Sequence, residues 1–577
     1  MNTATALNTG IVSYKLLING TDKSASFSIK SMVIHHEVNR IPYASIILVD
    51  GDVSTGTFAV SSSEDLIPGS ELEILAGYEN DNVSLFTGIV VRHSIKIRES
   101  VSMLVVECKH EAVKLTVGPK SNYFYDSSDS DIIESILGNA GINASVEQSN
   151  YTHPQLIQYQ TTDWDFIVLR AQINGFLCFL EGNTIEFKKP DLSTEPIITL
   201  EYGLNIYDFD GEIDARNALK TITSYTWNSG DQEVSEKEAS TSNALELGNL
   251  TQMDLAEIVD LENFKLNHGG NLTEEVLQDW ADAKLQLHLL SLNRGRIKIQ
   301  GNASVKPGMN VILKGLGDRF NGKAYITAVH HEIANGNWFT NLQYGLSPQW
   351  FSETFEVNAQ PASGIIPAIS GLQIGKVTQL QDDPEGAERV LVKIPIINNA
   401  EEGIWARIAL LDAGLDRGSL FRPEIDDEVI LGFINDDPND AVILGALHSS
   451  INTAPIEAAD ENNEKGFFTR SGIQFLFNDE KKSVSITTPG GRSIIINDDD
   501  EEIHVDDNGT SSVSLTSDGI ALDSSGAITI QAKGDLNLEG QNISIKAQQD
   551  LKAEGAAGAE LSTSAIAVLK GSLVQIN

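Results

Sequence analysis

Two segments of this 577-residue chain combine imidazole with carboxylate: His35, His36 and Glu37, and His330, His331 and Glu332. Imidazoles and a carboxylate that converge can hold zinc. In a strand, however, neighbouring side chains face opposite ways, so only His35 with Glu37, or His330 with Glu332, share a face. Strand histidines at an interface are therefore the favoured reading. The acidic run Asp498 to Glu502, with Asp506 and Asp507 beyond it, offers oxygens for calcium or paired carboxylates for glycoside cleavage. It falls where a turn between strands belongs, and a solvated turn is the simpler account. Cys108 and Cys178 lie inside apolar, strand-like runs, as buried inert thiols of a reduced compartment do. No GxSxG, Walker loop, HExxH or dinucleotide fingerprint accompanies them, so the expectation is no enzyme, no cofactor and no metal.

The elements that carry these residues are mostly strands. Residues 1–115 alternate as Ile11 to Ile18, Phe27 to His35, Ala44 to Val49, Leu72 to Ala76, Leu85 to His93 and Met103 to Cys108, a small barrel or sandwich. In 116–228, Ser130 and Asp131 precede one amphipathic helix, and Asp163 opens another that ends at Gly175. A polar excursion over 228–243 leads into 229–358, where Thr273, Glu274 and Glu275 start the longest helix, with Gly295 as its stop. A second barrel-like set of strands follows, and VHHEI from Val329 echoes VIHHEV from Val33, as in a duplicated module. Residues 359–371 are a Pro/Gly linker, 372–450 hold five strands suited to an oligomer-binding (OB) barrel, and 451–470 form a neck.

From 471 to 577 an apolar pair at i and i+2 returns every seven to ten positions for most of the stretch, punctuated by Gly and Asn turns. Ile494 with Ile496, Ile528 with Ile530, Leu536 with Leu538, and Ile543 with Ile545 are the expected core of this solenoid. One strand per repeat leaves its apolar face uncovered. Each fully buried Ile, Leu or Val contributes about 1.5 to 3 kcal/mol, and a lone chain coiled on itself, three repeats to a turn, would have only about four turns and no visible cap. Three chains wound about one axis supply the cover, so the segment is expected to be an obligate trimeric β-helix.

Charge narrows the partners. Lys plus Arg number 40 against 81 Asp plus Glu, a net −41. That excess argues against nucleic acid and against anchoring on anionic lipid. Met1 to Gly20 lacks a basic segment followed by an apolar core, so no signal peptide is expected, and assembly in the cytoplasm precedes any export.

The run Trp405, Ala406, Arg407, Ile408, then Gly414, Gly418, Phe421, Pro423, Glu428, Val429, Asp437, Pro438, Ile443, Gly445 and Leu447 resembles the barrel signature of VgrG-type spikes of contractile injection systems. Those spikes are similar to the hub and needle of phage tails fused in one chain. The resemblance implies a mainly β fold: duplicated hub β-barrels with intervening helices, a small OB-like barrel, and a C-terminal triple-stranded β-helix in a homotrimer. It implies a non-enzymatic central spike that pierces a target envelope and delivers effectors. Inner tube protein, baseplate proteins, effector cargo and a separate PAAR-type tip protein are the implied partners, the last docking on Leu573, Val574, Ile576 and Asn577. Trp405 and Phe421 are expected in the barrel interior or an inter-chain seam, with the glycines at tight turns or close backbone approaches. Relatives carrying a lysozyme place it between barrel and needle, where this chain has only Ile451 to Arg470. The alternative from another class is a β-helical tail fibre that binds or cleaves surface polysaccharide.

Overall fold

The computed structural model describes residues 7–99, 101–240 and 247–576. The chain divides into two compact units, Met1–Ser370 with Asn435–Pro438, and Gly371–Ile434 with Asn439–Asn577.

In the first unit, alternation of apolar and polar residues makes strands with one buried face. Ile29–Glu37, Tyr43–Val49, Glu71–Tyr78, Asp81–Arg98 and Val101–Lys109 bury Met32, Ile34, Ile46, Leu48, Ile74, Leu104 and Val106 in one core. Asn293–Gln300, Asn310–Lys314, Gly322–Ala334 and Asn337–Tyr344 build a second core around Ile297, Val311, Ile326 and Leu342. The two sets are joined in one 13-stranded sheet. Gly322–Ala334 pairs antiparallel with Ile29–Glu37, putting His330 opposite His35 and Val329 opposite His36. The echoed segments are thus the two strands of the seam.

Helix starts follow their caps. Asp129–Asn139 is capped by Ser128, whose hydroxyl accepts from the Asp131 amide while the Asp131 carboxylate accepts from the Ser128 amide. That start lies two residues before the one read from Ser130. Asp163–Ile173 follows Thr162, and Gly175 closes it at φ 72°. Glu274–Ser291 passes directly into the strand Asn293–Gln300. Gly295 therefore sits inside a strand and stops no helix; a Cβ there would lie 2.2 Å from the Asp210 carbonyl oxygen. The polar excursion contains a strand, Glu233–Glu238, paired with Ile222–Asn228, and a helix, Gln252–Val259, follows. Its charged, exposed side chains concealed the strand, because only the backbone ladder holds it.

In the second unit, Gln373–Gln379, Val390–Lys393, Ile404–Ile408, Ala441–Ala446 and Glu428–Phe433 close a five-stranded barrel. Closure removes the sheet edges, and Val377, Val390, Val392, Ala406, Val429, Leu431 and Ile443 fill the interior. Gly403 adopts φ 114°, with a hypothetical Cβ 2.1 Å from the Val392 carbonyl oxygen. Gly403→Ala is expected to destabilise the chain by about 2 kcal/mol or more, read as a lower denaturant midpoint; an unchanged midpoint would contradict this packing.

Candidate functional site

Beyond the barrel the chain runs back and forth as seven antiparallel strands: Glu464–Phe468, Gln474–Asn478, Ser483–Thr487, Ser493–Asn497, Glu502–Asp506, Ser511–Thr516 and Gly519–Ser524. Their register aligns the apolar residues in two cross-strand rows. Phe477, Val484, Ile496, Ile503, Leu515 and Ile520 form one row, and Phe467, Phe475, Ile486, Ile494, Val505, Val513 and Leu522 form the other. Both rows share one face, because i and i+2 side chains of a strand point the same way. Ser485, Ile495, His504, Ser514 and Ala521 line the opposite face, where His504 Nδ1 lies 2.8 Å from Ser514 Oγ.

Among the described residues nothing covers the rows. Ile494 is 46 % exposed and Ile496 43 %, in the middle of the sheet. Contiguous exposed apolar surface on this scale marks an interaction face. Regular strands end at Ser524, and 525–576 contain none. Ile528, Ile530, Leu536, Leu538, Ile543 and Ile545 are all exposed there, as are Leu573, Val574 and Ile576 near the end. Asn577 lies outside the described residues. The last hairpin, from Val513 to Ile520, is the first with a step of seven, and the shorter repeat continues beyond it without intrachain pairing.

The acidic run is the expected turn. Asn497 Oδ1 accepts from the Asp499 amide at 3.0 Å, and Asp507 Oδ1 accepts from the Thr510 and Ser511 amides at 3.0 and 2.6 Å. These bonds hold Asp507 below the usual carboxylate range, the Thr510 hydroxyl contributing most. Among the described residues no group of three or more His, Cys, Asp or Glu side chains could hold a metal ion.

The barrel signature lies partly outside the core. Trp405 is half-buried on its strand, Arg407 is exposed, and Pro423 is partly buried. Phe421 is 61 % exposed, which rules out the barrel interior; its ring stacks on Phe467 at 5.3 Å. Phe467 lies 6.3 Å from Phe475, which lies 4.9 Å from Phe477, so an aromatic column runs from the barrel loop into the rows. Phe467, Phe475 and Phe477 were not singled out from the sequence, although Phe475 and Phe477 carry the same i, i+2 spacing. Asp437 and Pro438 follow the turn Ile434–Asp436, in which Asn435 and Asp436 have positive φ. Gly445 sits beside a register shift between Ile430 and Leu431, and a Cβ there meets nothing within 4 Å. Close approach within the chain therefore does not account for that glycine.

The hub histidines belong to the seam. His35 Nε2 lies 3.1 Å from Glu37 Oε2, and its ring centre is 5.8 Å from that of His330. On the other face, His36, His110 and His331 help line a cavity of about 220 Å³. His36 Nε2 is 2.8 Å from the Leu85 carbonyl, and His331 Nδ1 is 2.9 Å from Thr340 Oγ1. Burial pushes His36 down to about 4 and His331 down to about 3, so both are neutral at pH 7. Cys108 and Cys178 are fully buried, and burial raises the Cys108 thiol to about 12. A thiol so protonated is a poor nucleophile.

Comparison with known proteins gives this arrangement a family. Residues 8–335, more than half of the chain, match the family model described as the Alg8 N-terminal domain. The chain belongs to that family. In this Alg8-family chain, residues 373–448 also match the type VI secretion system/phage-baseplate injector OB domain. The type VI secretion system spike protein VgrG3 of Vibrio cholerae is 31 % identical over 109 residues, 17 % of this chain and 10 % of the relative. VgrG1a of Pseudomonas aeruginosa is 31 % identical over 85 residues, 14 % of this chain and 13 % of the relative. The matches thus span only about a tenth of those curated relatives. Among solved structures, a prophage MuSo2 tail protein from Shewanella oneidensis has 12 % identity and a TM-score of 0.47, covering 58 % of this chain and 98 % of its own. A type VI secretion component of E. coli, described as similar to phage T4 tail proteins gp27 and gp5, has 13 % identity and a TM-score of 0.40, covering 75 % and 100 %. The family and curated matches bear out the resemblance to VgrG-type spikes read from the barrel residues.

A pH dependence follows from the seam. An unfolded histidine titrates near 6.5, and these two titrate lower when folded, so the unfolded chain binds more protons below pH 6.5. The stability they contribute is complete above pH 6.5 and declines as pH falls toward 4 and 3. His331→Asn is expected to reduce the fall in melting temperature between pH 6.5 and 4, by up to one proton's worth, about 1.4 kcal/mol per pH unit. An identical pH profile in the variant would contradict the assignment.

Proposed function

We propose that this chain is the non-enzymatic central spike of a contractile injection machine, and that it works as a homotrimer. The observation that carries the reading is the pair of uncovered apolar rows running from Phe467 and Phe477 to Ile520 and Leu522. Three such sheets facing one axis bury each other's rows, and the strandless 525–576 gains pairing partners as a triple-stranded β-helix. Polar turns and acidic side chains then form the outer surface. Three copies carry 3 × −41 = −123, which keeps a long rod soluble and opposes lateral sticking.

In this reading the hub seats on inner tube protein and baseplate proteins. The needle transmits sheath thrust through the target envelope, and dense inter-chain hydrogen bonding resists unfolding under that load. A separate PAAR-type tip protein docks on Leu573, Val574, Ile576 and Asn577, and effector cargo travels with the assembly. The chain is assembled in the cytoplasm and leaves it within the machine. The match of the barrel to an injector OB domain and the identity to VgrG spikes support this role.

Two substitutions separate a buried seam from a solvated one. Ile494→Asp would place a carboxylate among the rows of each copy, an unpaired buried charge costing several kcal/mol, and should prevent assembly. Ser485→Asp, on the opposite face of the sheet, should assemble as wild type. Equal behaviour of the two variants would contradict the seam. For the role itself, the wild-type chain should co-sediment with tube and baseplate proteins from the producing cells. Release of oligosaccharide from surface polysaccharide by the pure protein would instead favour the tail-fibre alternative.

A further inference from the structure

The barrel carries an arm whose sequence makes little sense for an isolated chain. Between Ile404–Ile408 and Glu428–Phe433 the backbone leaves the barrel and makes a two-stranded hairpin, Ala413 opposite Gly418 and Gly414 opposite Arg417. The hairpin is held by its own contacts. Arg417 Nη1 donates to both carboxylate oxygens of Asp412 at 2.8 Å, and the Ser419 amide donates to the Asp412 carbonyl at 2.9 Å. Gly418, at φ 135°, lets the strands approach where a Cβ would lie 2.3 Å from that carbonyl oxygen.

Among the described residues its leucines find little cover. Leu411 is 93 % exposed and Leu415 92 %, with Leu420 and Phe421 exposed behind them. Leu415 and Asp416 form the tip, a place where Asn, Asp or Gly is the default and a leucine adds nothing to the turn. Scattered surface leucines need no explanation, but four large apolar side chains within 411–421 on a hairpin ordered by an ion pair do. Phe421, at the foot of the arm, stacks on Phe467, the first residue of one needle row. The exposed arm is therefore continuous with the surface that a second copy is proposed to cover.

We propose that the arm 410–421 clasps a neighbouring copy of this chain, with Leu411 and Leu415 as its anchors, so that the trimer is locked at the barrel as well as along the needle. This inference rests on the trimeric reading. The arm extends the seam past Phe421 to the barrel loops, so the three barrels are held in register where the needle begins. A leucine pair rather than a charged pair suits a site that loses water on assembly.

Photo-cross-linking of the full chain tests it. With p-benzoylphenylalanine at position 415, irradiation should give covalent two-chain and three-chain species, whereas the same probe at exposed Glu401 should leave chains mostly unlinked. The double variant Leu411→Ser with Leu415→Ser, which changes two almost fully exposed side chains, should still fold and should dissociate about 5 °C or more below wild type. A trimer in which position 415 links to no other copy, or links to a tube or baseplate protein instead, would overturn the arm and leave the trimeric reading standing. An unchanged dissociation temperature in the double variant would overturn the arm as well. A monomeric wild-type chain would remove both.

Discussion

Two rows of paired apolar side chains, which the chain itself leaves in water, constrain everything at the C-terminal end of this protein. A sheet that buries one face needs a second layer, and the other layers here, the hub and barrel cores, are already filled by their own residues. The seven-stranded meander can form its hydrogen bonds alone, because consecutive strands pair antiparallel through short turns. Its apolar face cannot be satisfied in the same way. Beyond Ser524 the described residues form no strand ladder, so in the proposed trimer the dependence on other copies grows in that direction.

The rest of the second unit prepares that surface. A closed barrel has no free edge to pair with the wrong partner, and its core is independent of the rows. The aromatic column from Phe421 through Phe467 to Phe475 and Phe477 joins barrel to needle without a break in apolar surface. In the first unit a single sheet spans two cores, and the pairing of Ile29–Glu37 with Gly322–Ala334 makes the hub one folded body. Under the proposed spike role, a hub of that kind would hold its shape while the needle is driven forward.

What the sequence revealed depended on how local the causing interaction is. The i, i+2 pairs of the needle, the five barrel strands and the capped helices are local patterns, and they were legible. The seam strands lie nearly three hundred residues apart, so VIHHEV and VHHEI could be seen as similar but not as paired. Glu233–Glu238 was hidden by its charges. The helix Gln252–Val259 could have been found from Thr251 and Asp254, a capping box before an apolar face. Gly295 misled because a glycine after a helix usually stops it, whereas here the Asp210 carbonyl and Tyr344 on the flanking strands leave no room for a side chain. Of the candidate site, the spacing of Ile494 with Ile496 was readable from the sequence and lies on the strand Ser493–Asn497, whereas Ile528 to Ile545 lie where the described residues form no strand. The exposure of Phe421 and of the 411–421 arm was not readable, because burial of an aromatic in a loop is decided by tertiary context.

The account stands or falls on whether the apolar rows are hidden by other copies of the same chain. The native mass of the purified full-length protein at low micromolar concentration, measured by sedimentation equilibrium, tests this directly. Three chains of 62.5 kDa predict 3 × 62.5 = 187.5 kDa. A stable, folded species of 62.5 kDa would contradict it.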